Sequence, residues 1–203
     1  MTKFATYTRT ALLATAGLAL AAGLTSPVTG DPATTQNTTV PSVAQSAPAI
    51  IAAADKPTAE QLMPLGEPTN QSSFTPSAEQ MDNARKIVDA GKDMDLPPRA
   101  WTIAIATALQ ESKLENLGHL GERNDHDSQG LFQQRPSSGW GTVAQITDPD
   151  YSSKAFYKGL TQVDGWEELP LTVAAQTVQV SAFPDHYAQW EKMAADIVTD
   201  VTE

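Results

Sequence analysis

Residues 100–136, AWTIAIATALQESKLENLGHLGERNDHDSQGLFQQRP, decide how the chain is read. Trp101, Ile103, Ala104, Ile105, Ala106, Ala108 and Leu109 form a nearly continuous apolar run that passes straight into Gln110-Glu111-Ser112. Apolar residues around almost the whole circumference mark a helix buried in a core. Pro97 and Pro98 can open that helix, because a first-turn proline loses no hydrogen bond. Ala104, Ala108 and Glu111 share one face, and the two alanines let backbone or a ligand come close. One acid therefore stands where a buried helix ends. Burial and the negative end of the helix dipole both disfavour its ionised form, so the Glu111 carboxyl is expected to keep its proton above the usual range. Such a carboxyl can act as a general acid near neutral pH. The plainer reading of Glu111 is a side chain that emerges into solvent or pairs with Lys113.

The flanking sequence is helical in pattern. Ser77-Ala78-Glu79-Gln80 fits a capping box, after which Met81, Ala84, Ile87 and Val88 mark a helical face that ends near Gly91. Val143 to Ile146 reads as a short helical turn before Asp148-Pro149, and Tyr151 to Val163 as a helix. Leu171 to Val180 predicts another, after Pro170. A last amphipathic helix is expected from Pro184, with Tyr187, Trp190, Ala194, Ile197 and Val201 at three- and four-residue steps. No internal repeat or hairpin is evident. The fold class is mainly α, with one helical domain over residues 77–203, large enough for a single core.

Lys3 and Arg9 precede an uncharged run, Ala11 to Leu24, rich in Ala and Leu. That layout predicts a secretory signal peptide over residues 1–30, and the run is shorter than the roughly 20 residues of a bilayer span. Residues 31–76 are rich in Thr, Pro, Ala and Ser with no period, which predicts a disordered linker. The expected location is secreted or cell-wall associated, with an uncleaved membrane anchor as the alternative. The 203 residues carry 13 Lys+Arg against 24 Asp+Glu, a net charge of −11, which repels nucleic acid as a partner. There is no cysteine, which excludes disulfides and thiolate metal sites.

Gln110-Glu111-Ser112 followed by Gly130-Leu131-Phe132-Gln133 resembles the Glu-Ser and Gly-Leu-Met-Gln pair of soluble lytic transglycosylases and goose-type lysozymes. The run GLFQQRPSSGWGT from Gly130, with Ala182-Phe183-Pro184-Asp185 and Tyr187, is similar to secreted lysozyme-like proteins of actinobacteria. The resemblance covers residues 77–203 and implies a lysozyme-like helical domain acting on peptidoglycan glycan strands. It implies that Glu111 protonates the glycosidic oxygen between N-acetylmuramic acid and N-acetylglucosamine, as in a lytic transglycosylase or muramidase. Gln133, by family position, and Gln134 would bind sugar N-acetyl or peptide groups. Gly130 would allow close backbone approach, and Trp140 would either stack on a sugar or serve packing. Where the family carries Ala-Ala-Tyr-Asn-Ala-Gly, this chain has Ala174-Ala175-Gln176-Thr177-Val178-Gln179, so Gln176 stands where the family's tyrosine approaches the acid. Tyr187 is the spatial substitute, or an anchor for the last helix. The rival reading is a non-catalytic peptidoglycan-binding or envelope-assembly module.

Hydrolysis of either stereochemistry asks for a second carboxylate across the bond, unless the substrate's own N-acetyl and 6-hydroxyl groups take its place and leave a 1,6-anhydro end. Asp125 and Asp127 are the candidates, against the plain reading of a solvated acidic loop. Read as a calcium loop, the same stretch places Pro136 where a bidentate glutamate is needed, and His119 and His126 lack zinc spacing. No metal and no cofactor are expected.

Overall fold

The computed structural model describes residues 56–181 and 183–203. Among them the chain is mainly α-helical, as the periodicity predicts. The helices are α1 (Ala59–Leu62), α2 (Ala78–Asp93), α3 (Pro98–Ser112), α4 (Val143–Ile146), α5 (Pro149–Leu160), α6 (Leu171–Gln179) and α7 (Glu191–Val201). Single 3-10 turns lie at Gly121–Arg123, Pro136–Ser138 and Ala188–Trp190. The expected signal peptide and residues 31–55 of the expected linker lie outside the described residues.

Helix α3 is the axis, with α1, α2, α5, α6 and α7 all packed against it. Pro97 caps it and Pro98 is its first residue. Ala100, Ile103, Ala104, Ile105, Ala106, Ala108 and Leu109 are wholly buried, which is why the apolar pattern runs around every face. Thr102, Thr107 and Ser112 enter the same core because their hydroxyls donate back to the carbonyls of Pro98, Ile103 and Ala108, at 3.3, 2.7 and 3.1 Å. Each buried Leu or Ile here contributes about 1.5–3 kcal/mol relative to leaving it exposed. Helix α2 opens with the predicted capping box, Ser77 and Gln80 each satisfying the other's backbone N–H.

The N-terminal end of α3 is pinned by Arg99. Its guanidinium is buried and donates to the Leu62 and Leu169 carbonyls, at 3.0 and 3.2 Å, and to Glu191 Oε1 at 2.6 Å. One side chain thereby ties α1, the segment before α6, and α7 to α3.

Four expectations of the sequence are corrected. The linker was expected to run to residue 76, yet residues 56–76 belong to the folded unit: Leu62 is buried, and Phe74 meets Trp190 edge to face at 6.1 Å. Polar groups fasten this arm, with Ser72 N–H donating to the Gln189 carbonyl at 2.8 Å and the Gln71 amide bonding the backbone at Ala188 and Lys192. The last α-helix begins at Glu191 rather than Pro184. Residues 188–190 wind as a 3-10 turn, in which i and i+3 eclipse, so Tyr187 and Trp190 both face inward. Helix α5 starts at Pro149, because Asp148 accepts the Tyr151 N–H at 2.8 Å as its cap, and it ends at Leu160 rather than Val163. Helix α6 stops at Gln179, one residue short of the expected Val180, whose backbone is left-handed.

Candidate active site

Glu111 lies in the last turn of α3, half-buried, where the packing of that helix forces it. Tyr187, itself wholly buried, donates its hydroxyl to Glu111 Oε1 at 2.6 Å. Burial raises the pKa of Glu111 above the ordinary glutamate range, and the nearby charge of Asp125 adds to the effect. The Tyr187 hydroxyl, the Gln179 amide and the charge of Arg135 oppose it, and burial wins. The tyrosine is pushed upward in turn, first by its own burial and then by the carboxylate beside it. It therefore stays a hydrogen-bond donor across the working pH range. Lys113 does not pair with Glu111: its Nζ donates to the Leu109 carbonyl at 3.0 Å and sits 4.3 Å from the centre of the Trp190 ring.

The Gly130 to Gln133 run reaches this point through its backbone. Ser112 Oγ donates to the Leu131 carbonyl at 2.8 Å and Gln179 Nε2 to the Phe132 carbonyl at 2.9 Å, so the run is clamped between the ends of α3 and α6. Leu131 and Phe132 themselves are core residues, Phe132 stacking on Phe156 at 5.0 Å. Gly130 has a left-handed φ of +78°, and a Cβ there would fall 2.1 Å from the Ile146 carbonyl oxygen. The close approach it permits is thus to the chain's own α4. Gln133 Nε2 donates to the Gly130 carbonyl at 3.0 Å within its own turn.

Two of the expected sugar ligands are elsewhere. Gln134 is buried in the core with Nε2 donating to the Ser152 carbonyl at 3.1 Å, because the antiparallel bridge to Gln129 turns its side chain inward. Gln176, expected beside the acid, has both ends of its amide taken by the backbone of Ser181, at 2.9 and 3.1 Å, and closes the C-terminal end of α6. The residue of α6 that reaches Glu111 is Gln179, one turn later. Trp140 is half-buried and packs against the core.

The two loop acids part company. Asp127 accepts both the N–H and the hydroxyl of Ser137, each at 2.8 Å, and these bonds depress its pKa. It staples the Asp125–Ser128 turn to the Pro136–Ser138 turn. Asp125 is largely exposed and contacts the His126 ring at 2.7 Å and the Arg135 guanidinium; His126 first, then the charge of Arg135, holds it in the ionised form. Arg135 is steadied from its other edge by Ser128 Oγ at 2.9 Å.

No cluster of three or more His, Asp or Glu that could hold a metal occurs among the described residues. Nor is any helix among them long and apolar enough to cross a membrane. A cavity of about 350 Å³ opens elsewhere, lined by Phe74, Met81, Met193 and Ile197 among others, and Glu111 is not part of its wall. Gln179 is the site residue that sequence reasoning missed. Its only signal was the spacing of three residues from Gln176, which puts both on one face of α6. Compared with known families and with curated proteins, the chain matches no family model and no curated protein.

Proposed function

We propose that this chain is a lysozyme-like domain that cleaves the glycosidic bond between N-acetylmuramic acid and N-acetylglucosamine in peptidoglycan, as a wall-associated, exported protein, with Glu111 as general acid. What carries the reading is the Glu111 carboxyl: partly removed from water at a helix end, with a neutral hydroxyl and a neutral amide as partners instead of a cation. Two carboxyls whose surroundings push their pKa values apart form an acid and base pair. Glu111 is shifted up and Asp125 down, and each lies within the electrostatic reach of the shared neighbour Arg135.

Glu111 gives its proton to the glycosidic oxygen as the bond to the anomeric carbon breaks. The resulting cation-like sugar is closed in one of two ways. Attack by the substrate's own 6-hydroxyl, whose proton returns to the Glu111 carboxylate, leaves a 1,6-anhydro end. Attack by a water that passes its proton to Asp125 leaves a reducing end.

Purified peptidoglycan is incubated with the protein, with Glu111→Gln and with Asp125→Asn, and the released muropeptides are weighed. The expected result is release that falls about a hundredfold to ten-thousandfold in Glu111→Gln. Products that persist in Asp125→Asn as anhydro ends assign lysis, while reducing ends lost in that variant assign hydrolysis. Equal release by Glu111→Gln, or binding with no release by the native protein, overturns the enzyme reading, and binding alone leaves the wall-binding module.

A further inference from the structure

The two residues after the Glu111-Ser112 turn carry a conformation that their side chains do not favour. Lys113 and Leu114 both have left-handed backbones, with φ of 58° and 65°. A helix usually ends on Gly or Asn in that conformation, since a Cβ there meets the backbone. Leu114 is explained by its side chain, which is wholly buried in the core. Lys113 is not explained by core burial, because its side chain is exposed apart from its contact with the Trp190 ring.

The conformation is held from outside the turn. Gln80 Nε2 donates to the Lys113 carbonyl at 2.8 Å and Asn83 Nδ2 to the Leu114 carbonyl at 2.9 Å. Both amides are on one face of α2 and both are buried. Strained backbone persists where surrounding structure fixes it in this way, and it collects at sites of function.

Helix capping uses only one of the three N–H donors of the lysine ammonium. The Leu109 carbonyl that its ammonium contacts already accepts the Lys113 backbone N–H, at 3.2 Å, so that acceptor has a partner without the side chain. Among the described residues, no carboxylate lies within ion-pairing distance of Nζ. The Trp190 ring holds the ammonium on one side, and Trp190 is itself fixed by donating Nε1 to Gln110 Oε1 at 2.8 Å, the residue just before the acid. The result is a positioned ammonium with no counter-ion among the described residues; burial lowers its pKa, and the charge of Glu111, two residues away, opposes that lowering.

We infer that Lys113 is an anion-binding group of the Glu111 site, which takes a carboxylate on the acidic lactyl-peptide arm of N-acetylmuramic acid and so favours peptidoglycan over a neutral N-acetylglucosamine polymer. This rests on the glycan reading above and adds a specificity element to it. A guanidinium does not fill the role, because Arg135 is already engaged by Asp125 and Ser128.

The test is equilibrium binding by calorimetry to two tetrasaccharides, one of alternating N-acetylglucosamine and peptide-bearing N-acetylmuramic acid, the other chitotetraose. Turnover is suppressed by working in the Glu111→Gln background. Lys113→Gly is expected to lose about tenfold in affinity for the acidic glycan, the size of one charge-assisted contact, and less than about twofold for the neutral one. Lys113→Arg is expected to restore most of the loss. Thermal unfolding of Lys113→Gly is expected at the same or a higher temperature, since glycine relieves the left-handed backbone; a lower midpoint with equal losses on both glycans would assign a structural role and overturn the proposal. Binding of both glycans without discrimination when Lys113 is kept in that background overturns the lysine assignment alone. Binding of neither removes the glycan reading, and the lysine assignment with it.

Discussion

The two ends of α3 each meet a glutamate, and the two glutamates are treated in opposite ways. At the N-terminal end Glu191 receives the buried Arg99 guanidinium at 2.6 Å, so its charge is matched inside the fold. At the C-terminal end Glu111 receives the Tyr187 hydroxyl at 2.6 Å and has beside it the Gln179 amide, which donates to the Phe132 carbonyl; neither group carries charge. A carboxylate paired with a buried guanidinium serves architecture. One that is desolvated among neutral donors keeps a usable proton. The contrast teaches that burial alone does not mark the acid; the chemical nature of its partner does.

The largest effect is expected where the charge is matched. Arg99→Met strands Glu191 and leaves the Leu62 and Leu169 carbonyls without their donor. Removing one partner of a buried pair costs about 3–5 kcal/mol, measurable by urea unfolding. The double variant Arg99→Met with Glu191→Met should recover much of that loss, because no unpaired charge remains. A double variant as unstable as the single one would show that the pinned carbonyls, and not the ion pair, carry the effect, and would weaken the contrast between the ends.

Tyr187→Phe comes next. It removes the hydroxyl from a half-buried carboxyl, for a stability loss of about 1–3 kcal/mol. The hydroxyl favours the ionised form of Glu111, so its loss should move the carboxyl's pKa further up. The other groups acting on it, Gln179, Asp125, Arg135 and Lys113, are left in place. A carbon-13 titration of the side-chain carboxyl reads this directly, and the alkaline limb of any pH–rate profile should move the same way. A shift downward would mean that Tyr187 does not govern the acid.

Much of this was legible in the residues. The apolar circumference of residues 100–109 and the Pro97-Pro98 start predict α3, and its length puts Glu111 at its end. Tyr187 was expected either to stand in for the tyrosine of the resembling enzymes or to anchor the last helix, and its hydroxyl donates to Glu111 Oε1. The arm 56–76 was not legible, because Leu62 and Phe74 are isolated apolar residues in polar surroundings and the arm is fastened by backbone and amide bonds that leave no period. Arg99 was equally silent, since a lone arginine at the head of an apolar run looks like a surface residue until its three acceptors are in place. Gln176 misled because family register follows sequence, whereas the approach to Glu111 depends on which amide the Ser181 backbone has already taken.

The smallest effect tests the other end of the contrast without any substrate. A carboxyl whose folded pKa is raised stabilises the fold fully only below its unfolded pKa, and that contribution is lost as pH rises through the folded value. Glu111→Gln keeps an oxygen to accept the Tyr187 hydroxyl and has no proton to lose. The variant should therefore match the native protein near pH 3 and become more stable than it as pH rises past the ordinary glutamate value of 4.5 and through the raised folded one. Glu191→Gln should behave in the reverse sense at neutral pH, destabilising the protein because it leaves Arg99 with a neutral partner. Chemical denaturation of both variants across that pH range separates them. If Glu111→Gln also destabilises at neutral pH, the Glu111 carboxylate serves the fold as the one in the Arg99 ion pair does, and α3 has two structural ends and no acid.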